Sequence, residues 1–95
     1  MIKSWKNART RVVYETGAAR GFQGLDAALA GDRLDMLQAA GSLADISPLR
    51  SVNLHALKGS RKGQWAINVN GPWRICFRSE PGGFVDVEIV DYHRG

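Results

Sequence analysis

Trp65-Ala-Ile-Asn-Val-Asn-Gly-Pro-Trp-Arg-Ile-Cys-Phe-Arg78 is the stretch whose reading decides the fold. Trp65, Ile67 and Val69 alternate with Ala66, Asn68 and Asn70, and then Trp73, Ile75 and Phe77 alternate with Arg74, Cys76 and Arg78. A period of two is that of a half-buried strand. The same period returns downstream, where Val85, Val87 and Ile89 alternate with Phe84, Asp86 and Glu88. Residues directly opposite one another in a ladder share a face, so register can be tested. A two-residue Asn-Gly turn would set Asn68 against Trp73 and Ile67 against Arg74, mixing polar with apolar on both faces. A three-residue Asn70-Gly71-Pro72 loop sets Val69 on Trp73, Ile67 on Ile75 and Trp65 on Phe77, and is the reading adopted. Carrying the face rule across the Pro81-Gly82-Gly83 loop puts Phe77 on Val85, Ile75 on Val87 and Trp73 on Ile89, with Arg74 opposite Glu88. Asp91, Tyr92 and His93 then fall beside the Asn70–Pro72 turn, near Arg74.

Residues 52–57 precede a Gly59-to-Gly63 loop and, if extended, double back on the strand at 64–70, bringing His55 level with Ile67. On the amino-terminal side the period is helical. Residues 8–16 read as a short helix stopped by Gly17. A longer helix runs from about Phe22 to Ala40 on the spacing of Leu25, Ala28, Leu29, Met36, Leu37 and Ala40. Gly31 inside it costs ~1 kcal/mol relative to alanine and is a point of bending or breakage. Ser42 to Asp45 resembles a capping box opening one further turn that Ser47-Pro48 closes, and Met1 to Trp5 suits a brief first strand. The fold class is α+β: a small antiparallel sheet packed on two amino-terminal helices, in a single domain spanning 1–95.

Ninety-five residues, 44% hydrophobic and 23% charged, fit one globular domain and neither a disordered chain nor a fibrous repeat. One cysteine, Cys76, makes no internal disulfide and suits a reducing compartment. No apolar run approaches the ~20 residues of a membrane helix, and no apolar stretch follows the first lysines, so a cytoplasmic location without membrane contact is expected. The net charge of +4 is unevenly spread. Residues 46–79 hold Arg50, Lys58, Arg61, Lys62, Arg74 and Arg78 and no acid. Such a run is either a solvated basic face or the footprint of a polyanion such as nucleic acid.

His55, Lys58, Arg74, Asp91, Tyr92 and His93 supply two imidazoles, a carboxylate, a phenol and two cations. These are the parts needed to cleave an RNA phosphodiester. One group takes the 2′-hydroxyl proton, cations hold the phosphate as charge builds, and another group protonates the leaving 5′-oxygen. Histidine suits either proton task because its ordinary pKa lies near ~6.5, and no metal is required. Each residue also has a plainer reading. His93 could be a surface side chain near the end, His55 a hydrogen-bonded core histidine, Arg74 a cross-strand partner of Glu88, Tyr92 an edge aromatic and Asp91 a turn cap. The run from Lys58 to Gly63 lacks P-loop spacing, so triphosphate binding is not expected. Trp65 and Trp73 sit at core parity, and Cys76 reads as a small sheet residue. A two-histidine metal site is disfavoured among so many cations; no metal or cofactor is expected.

Leu54-His-Ala-Leu-Lys-Gly59, Arg61-Lys-Gly-Gln-Trp65, Trp73-Arg-Ile-Cys-Phe77 and Val87-Glu-Ile-Val-Asp-Tyr-His93, in this order, resemble the HigB (host inhibition of growth, or plasmid killer) toxins of the RelE-like superfamily. The resemblance covers the chain from its first residues to its last. It implies a RelE-like microbial ribonuclease fold and a metal-independent cleavage of messenger RNA on the translating ribosome. It also implies a HigA-like antitoxin with a helix-turn-helix domain, through which alone the toxin reaches operator DNA. Carried over by motif, His93 is the candidate proton donor to the leaving group, His55 with Asp91 assists activation or orientation, and Tyr92 contacts or stacks on a base. Lys58 and Arg74 neutralise the phosphate, with Arg61 and Lys62 as further RNA-binding candidates. Two departures stand out: Ser60 where relatives often have an acid, and Asn68 where many have a basic residue. Asp91 and His93 share parity with Ile89 whereas Tyr92 does not, so a bulge or strand end is expected near Val90. The alternative function is a non-catalytic RNA- or ribosome-binding module on the same basic face. A third reading is a surface that binds only a protein partner.

Overall fold

The structure, a computed structural model, describes residues 1–91, and shows three α-helices, two short 3₁₀ turns (Arg50–Val52 and Gly59–Arg61) and one four-stranded sheet. Helix α1 spans Ala8–Thr16, α2 Ala27–Ala39 and α3 Leu43–Ile46. Strands β1 (His55–Ala56), β2 (Trp65–Asn68), β3 (Arg74–Glu80) and β4 (Gly83–Val90) pair antiparallel in the order β1-β2-β3-β4. The α+β expectation holds.

Helix α1 begins where the Asn7 side chain accepts from the Thr10 amide and ends at Gly17 (φ +77), whose amide donates to the Val13 carbonyl. Helix α2 starts later than its apolar spacing suggests. Gly24 turns the chain at φ +77, and the Asp26 carboxylate then caps the Leu29 amide, so residues 22–26 form turns. It runs unbroken through Gly31, so the helix does not break there. The capping box before α3 also differs. Ser42 makes no side-chain cap; the Asp45 carboxylate instead accepts from the Gly41 amide at 2.8 Å.

One face of the sheet packs on α1 and α2, burying Ile67, Ile75, Phe77, Phe84, Val87 and Ile89 against Val13, Leu34 and Leu37. Phe77 and Phe84 meet edge to face, centroids 5.0 Å apart. Thr10 is fully buried, and its hydroxyl accepts from the Ile89 amide at 3.0 Å while donating to Asn7, which ties α1 to β4.

The β2–β3 register is the expected one, with Trp65 on Phe77 and Ile67 on Ile75, and the Asn70 carbonyl closes the turn by accepting from the Trp73 amide. The β3–β4 register is not. Pro81 and Gly82 (φ +84) make a two-residue turn between paired Glu80 and Gly83. A bulge then inserts one residue of β4 between the Cys76–Glu88 and Arg78–Val85 pairs. Asp86 sits there at φ +54, a conformation that asparagine and aspartate adopt more readily than most residues. The bulge flips parity, so Phe84 and Val87 both enter the core while Val85 leaves it. Ile75 therefore faces Ile89, Arg74 faces Val90, and Glu88 lies opposite Cys76 rather than Arg74. Strand β4 ends at Val90, the expected place. Met1 to Trp5 contributes only isolated parallel bridges, Ile2 to Phe84 and Trp5 to Val87, because the ladder is interrupted at the bulge, where the Ser4 hydroxyl accepts from the Asp86 amide.

Candidate functional site

Alternation puts the residues between the core positions on the sheet face away from the helices. His55, Ala66, Cys76 and Glu88 form one row across all four strands there, and Asn68, Arg74 and Val90 the next. His55 is half-buried, opposite Ala66, one residue from its expected level. Its Nδ1 lies 2.7 Å from the carbonyl of Asn53, a residue held at φ +51. A carbonyl only accepts, so Nδ1 carries the proton and donates it in this bond.

Arg74 Nη1 donates to the carbonyls of Gly71 (2.8 Å) and Trp73 (2.9 Å), which holds the guanidinium against its own turn. Among the described residues it makes no ion pair with a carboxylate. The expected pairing with Glu88 is absent because the register moved that acid two levels along β4. Asn68 stands opposite Arg74, and its Oδ1 is buried with no hydrogen-bond partner among the described residues. Such an orphan costs roughly 1–3 kcal/mol and is kept at few places in a folded protein.

Asp91 follows Val90 directly and lines a groove of about 470 Å³ with Gly21, Gln23, Pro72 and Trp73. The Trp73 indole donates to the Gln23 carbonyl at 3.0 Å, fixing that wall. Arg74 and Asp91 thus share the turn end of the sheet, as expected. His55 and Asp91 do not meet: three strand spacings and three residue steps separate them, at least ~15 Å between backbones. Lys58 lies beyond β1 toward the opposite end of the sheet from Arg74, exposed on the loop that Lys62 shares. Tyr92 and His93 lie outside the described residues. Arg61, by contrast, is turned inward, its Nη1 bonded to Glu88 Oε1 at 2.9 Å and Gln64 Oε1 at 3.1 Å.

Cys76 is fully buried in this row, and burial pushes its thiol up to about 11; Arg61 and Arg74 oppose the shift and Glu88 adds to it. The folded chain holds the thiol proton more tightly than the unfolded chain, whose thiol titrates near its ordinary 9.0. The resulting stabilisation is complete below pH 9 and is lost as pH rises toward 11. Urea melts across that window should show a fall of about 2–3 kcal/mol that is missing in Cys76→Ala.

Asn53 and Glu88 escaped the sequence reading. Nothing in the pattern marks Asn53 as the orienter of His55, and the face rule sets Glu88 opposite Arg74 when its partner is Arg61.

Two similarities to known proteins span nearly the whole chain. The family model described as the RelE-like toxin of type II toxin–antitoxin system HigB matches residues 3–93. The endoribonuclease HigB of Proteus vulgaris is 33% identical over 93 residues, covering 98% of this chain and 100% of that protein.

Proposed function

Because the chain belongs to the HigB-like toxins, the RelE-like toxins of type II toxin–antitoxin systems, we propose that it is an endoribonuclease that cuts messenger RNA on the translating ribosome. Membership of a type II system implies an antitoxin partner. We take this to be a HigA-like protein with a helix-turn-helix domain, so that operator DNA is reached only through the antitoxin. No helix among the described residues is long and apolar enough to cross a membrane, and a ribosome-bound message places the reaction in the cytoplasm.

The observation that carries the reading is Arg74, a cation held by two carbonyls, without an ion pair among the described residues, and one residue from the level of Asp91. A guanidinium so held is oriented before substrate arrives, and its remaining N–H groups match phosphate oxygens. In the proposed step the 2′-oxygen bonds to the adjacent phosphorus and the bond to the 5′-oxygen breaks, giving a cyclic 2′,3′-phosphate. The 2′-hydroxyl proton passes to a base and the 5′-oxygen takes one from an acid. His93 is the candidate acid, and His55 serves proton transfer or orientation from β1. Asp91 acts from the turn end without bonding to the His55 ring, Tyr92 stacks on or contacts a base, Arg74 offsets the charge that builds on the reacting phosphate, and Lys58, toward the other end of the sheet, neutralises RNA phosphate as the message binds.

Purified protein added to a reconstituted translation reaction should cut the message within the ribosome's footprint and leave the same RNA uncut when ribosomes are omitted. Salt-sensitive binding without new message ends would instead support a non-catalytic module.

A further inference from the structure

We propose that Arg61 and Glu88 form a positioning pair that pins the loop from Lys58 to Gly63 across the outer face of the sheet, and so sets where the Lys58 and Lys62 ammonium groups meet RNA. The proposal rests on the nuclease reading only for the identity of the ligand. The loop has little else to hold it. Gly59 and Gly63 lie at φ +64 and +94, and the backbone bonds of residues 59–63 are local, Arg61 to Lys58, Lys62 to Gly59 and Gln64 to Arg61. A tether must therefore come from side chains.

Arg61 provides it. From its turn it reaches past β3 to β4, where its Nη1 meets Glu88 at 2.9 Å, the two side chains 21% and 15% exposed. Beneath the bridge lies Cys76, fully buried although its face is the one without helices. A second contact follows the same path: a Cβ on Gly63 would stand 2.8 Å from Arg78 Nη1, so this guanidinium lies against the loop. Glu88 is three residues before Asp91, which joins the loop's anchor to the strand that leads into the other half of the site.

These contacts also argue that Arg61 is not itself the phosphate ligand. A phosphate would have to displace a carboxylate already in place and shielded from water, whereas Lys58 and Lys62 are exposed and make no ion pair among the described residues. Arg61 is thus a positioning residue.

The full chain carrying Glu88→Gln, Arg61→Gln, Arg61→Lys, or the exchange Arg61→Glu with Glu88→Arg separates the roles. As positioning residues, Glu88→Gln and Arg61→Gln should each raise KM for message cleavage roughly fivefold with kcat nearly unchanged, and the exchange should recover most of the loss. Amide hydrogen exchange at 59–64 should accelerate roughly fivefold in the single variants and slow again in the exchanged one. If Arg61 grips phosphate, Glu88→Gln frees it, so a lower KM in that variant overturns the proposal, as does unchanged exchange in the loop. Arg61→Lys keeps the charge but not the reach, and gives the same loop readout should Glu88→Gln fail to fold. Wild-type protein that cuts no RNA would defeat the nuclease reading, while the exchange measurement still decides the tether.

Discussion

Arg74→Ala is expected to lower message cleavage by roughly 10²- to 10³-fold, the usual loss when one preorganised charge stabiliser is removed. His55→Ala and His93→Ala should each cost roughly 10²- to 10⁴-fold as proton-transfer groups. The folded state should barely notice the first two. Among the described residues Arg74 hydrogen-bonds to carbonyls at the rim of its turn, and His55 bonds to Asn53 in a neighbouring loop. Their melting temperatures should therefore stay within a few degrees of the parent, which separates lost chemistry from lost fold. Arg74→Lys is informative, since a lysine keeps the charge but loses the fork that fixes its direction, and should recover only part of the rate. Cleavage by Arg74→Ala and His93→Ala at the parent rate, measured as message ends per ribosome, would reject the assignment.

The parts of this site that alternation can place were legible in the sequence. The β2–β3 register followed because only one loop length around Asn70-Gly71-Pro72 keeps apolar residues facing apolar residues. This was enough to put Arg74 and Asp91 at the same end of the sheet. What the pattern hid was one backbone conformation. Asp86 at φ +54 adds a residue to β4, and the Pro81-Gly82 turn is one residue tighter than the face rule assumed, so the far half of β4 slides by two positions. Alternation on either side of a bulge looks regular, and no side chain at Asp86 announces it. The slide has a chemical consequence. It removes Glu88 from Arg74, leaving that cation without its expected acid, and delivers Glu88 to Arg61, which the pattern had grouped with the RNA-binding cations. The missed start of α2 has the same origin, since Gly24 at φ +77 ends a spacing that remains helical on paper.

Gly83→Ala should be the most damaging single methyl group in the described chain. Gly83 has no left-handed φ, so its glycine is not explained by the turn; the turn's strained corner is Gly82. Its reason is contact. A Cβ at Gly83 would overlap the Met1 carbonyl oxygen and lie 2.9 Å from Lys3 Cγ. The first neighbour is backbone and cannot rotate away. It is also engaged, since the Met1 carbonyl accepts from the Phe84 amide at 2.8 Å and the Lys3 amide returns a bond to the Phe84 carbonyl at 2.7 Å. Moving Met1 breaks this exchange and loosens Ile2, whose amide donates to Gln38 at 3.0 Å, and then Trp5, whose ring lies 5.4 Å from that of Tyr14. The cost should be about 3 kcal/mol, the upper end for over-packing, which in a domain of this size lowers Tm by roughly 12 °C or more. Gly31→Ala is the matched control. Its Cβ meets nothing within 4 Å and its backbone is helical, so it should stabilise by up to ~1 kcal/mol. Cleavage by the folded fraction of Gly83→Ala should be nearly intact, because Arg74 and Val90 pair at the other end of β4. A melting point within a degree of the parent would show that the amino-terminal segment does not dock where the Gly83 contact requires.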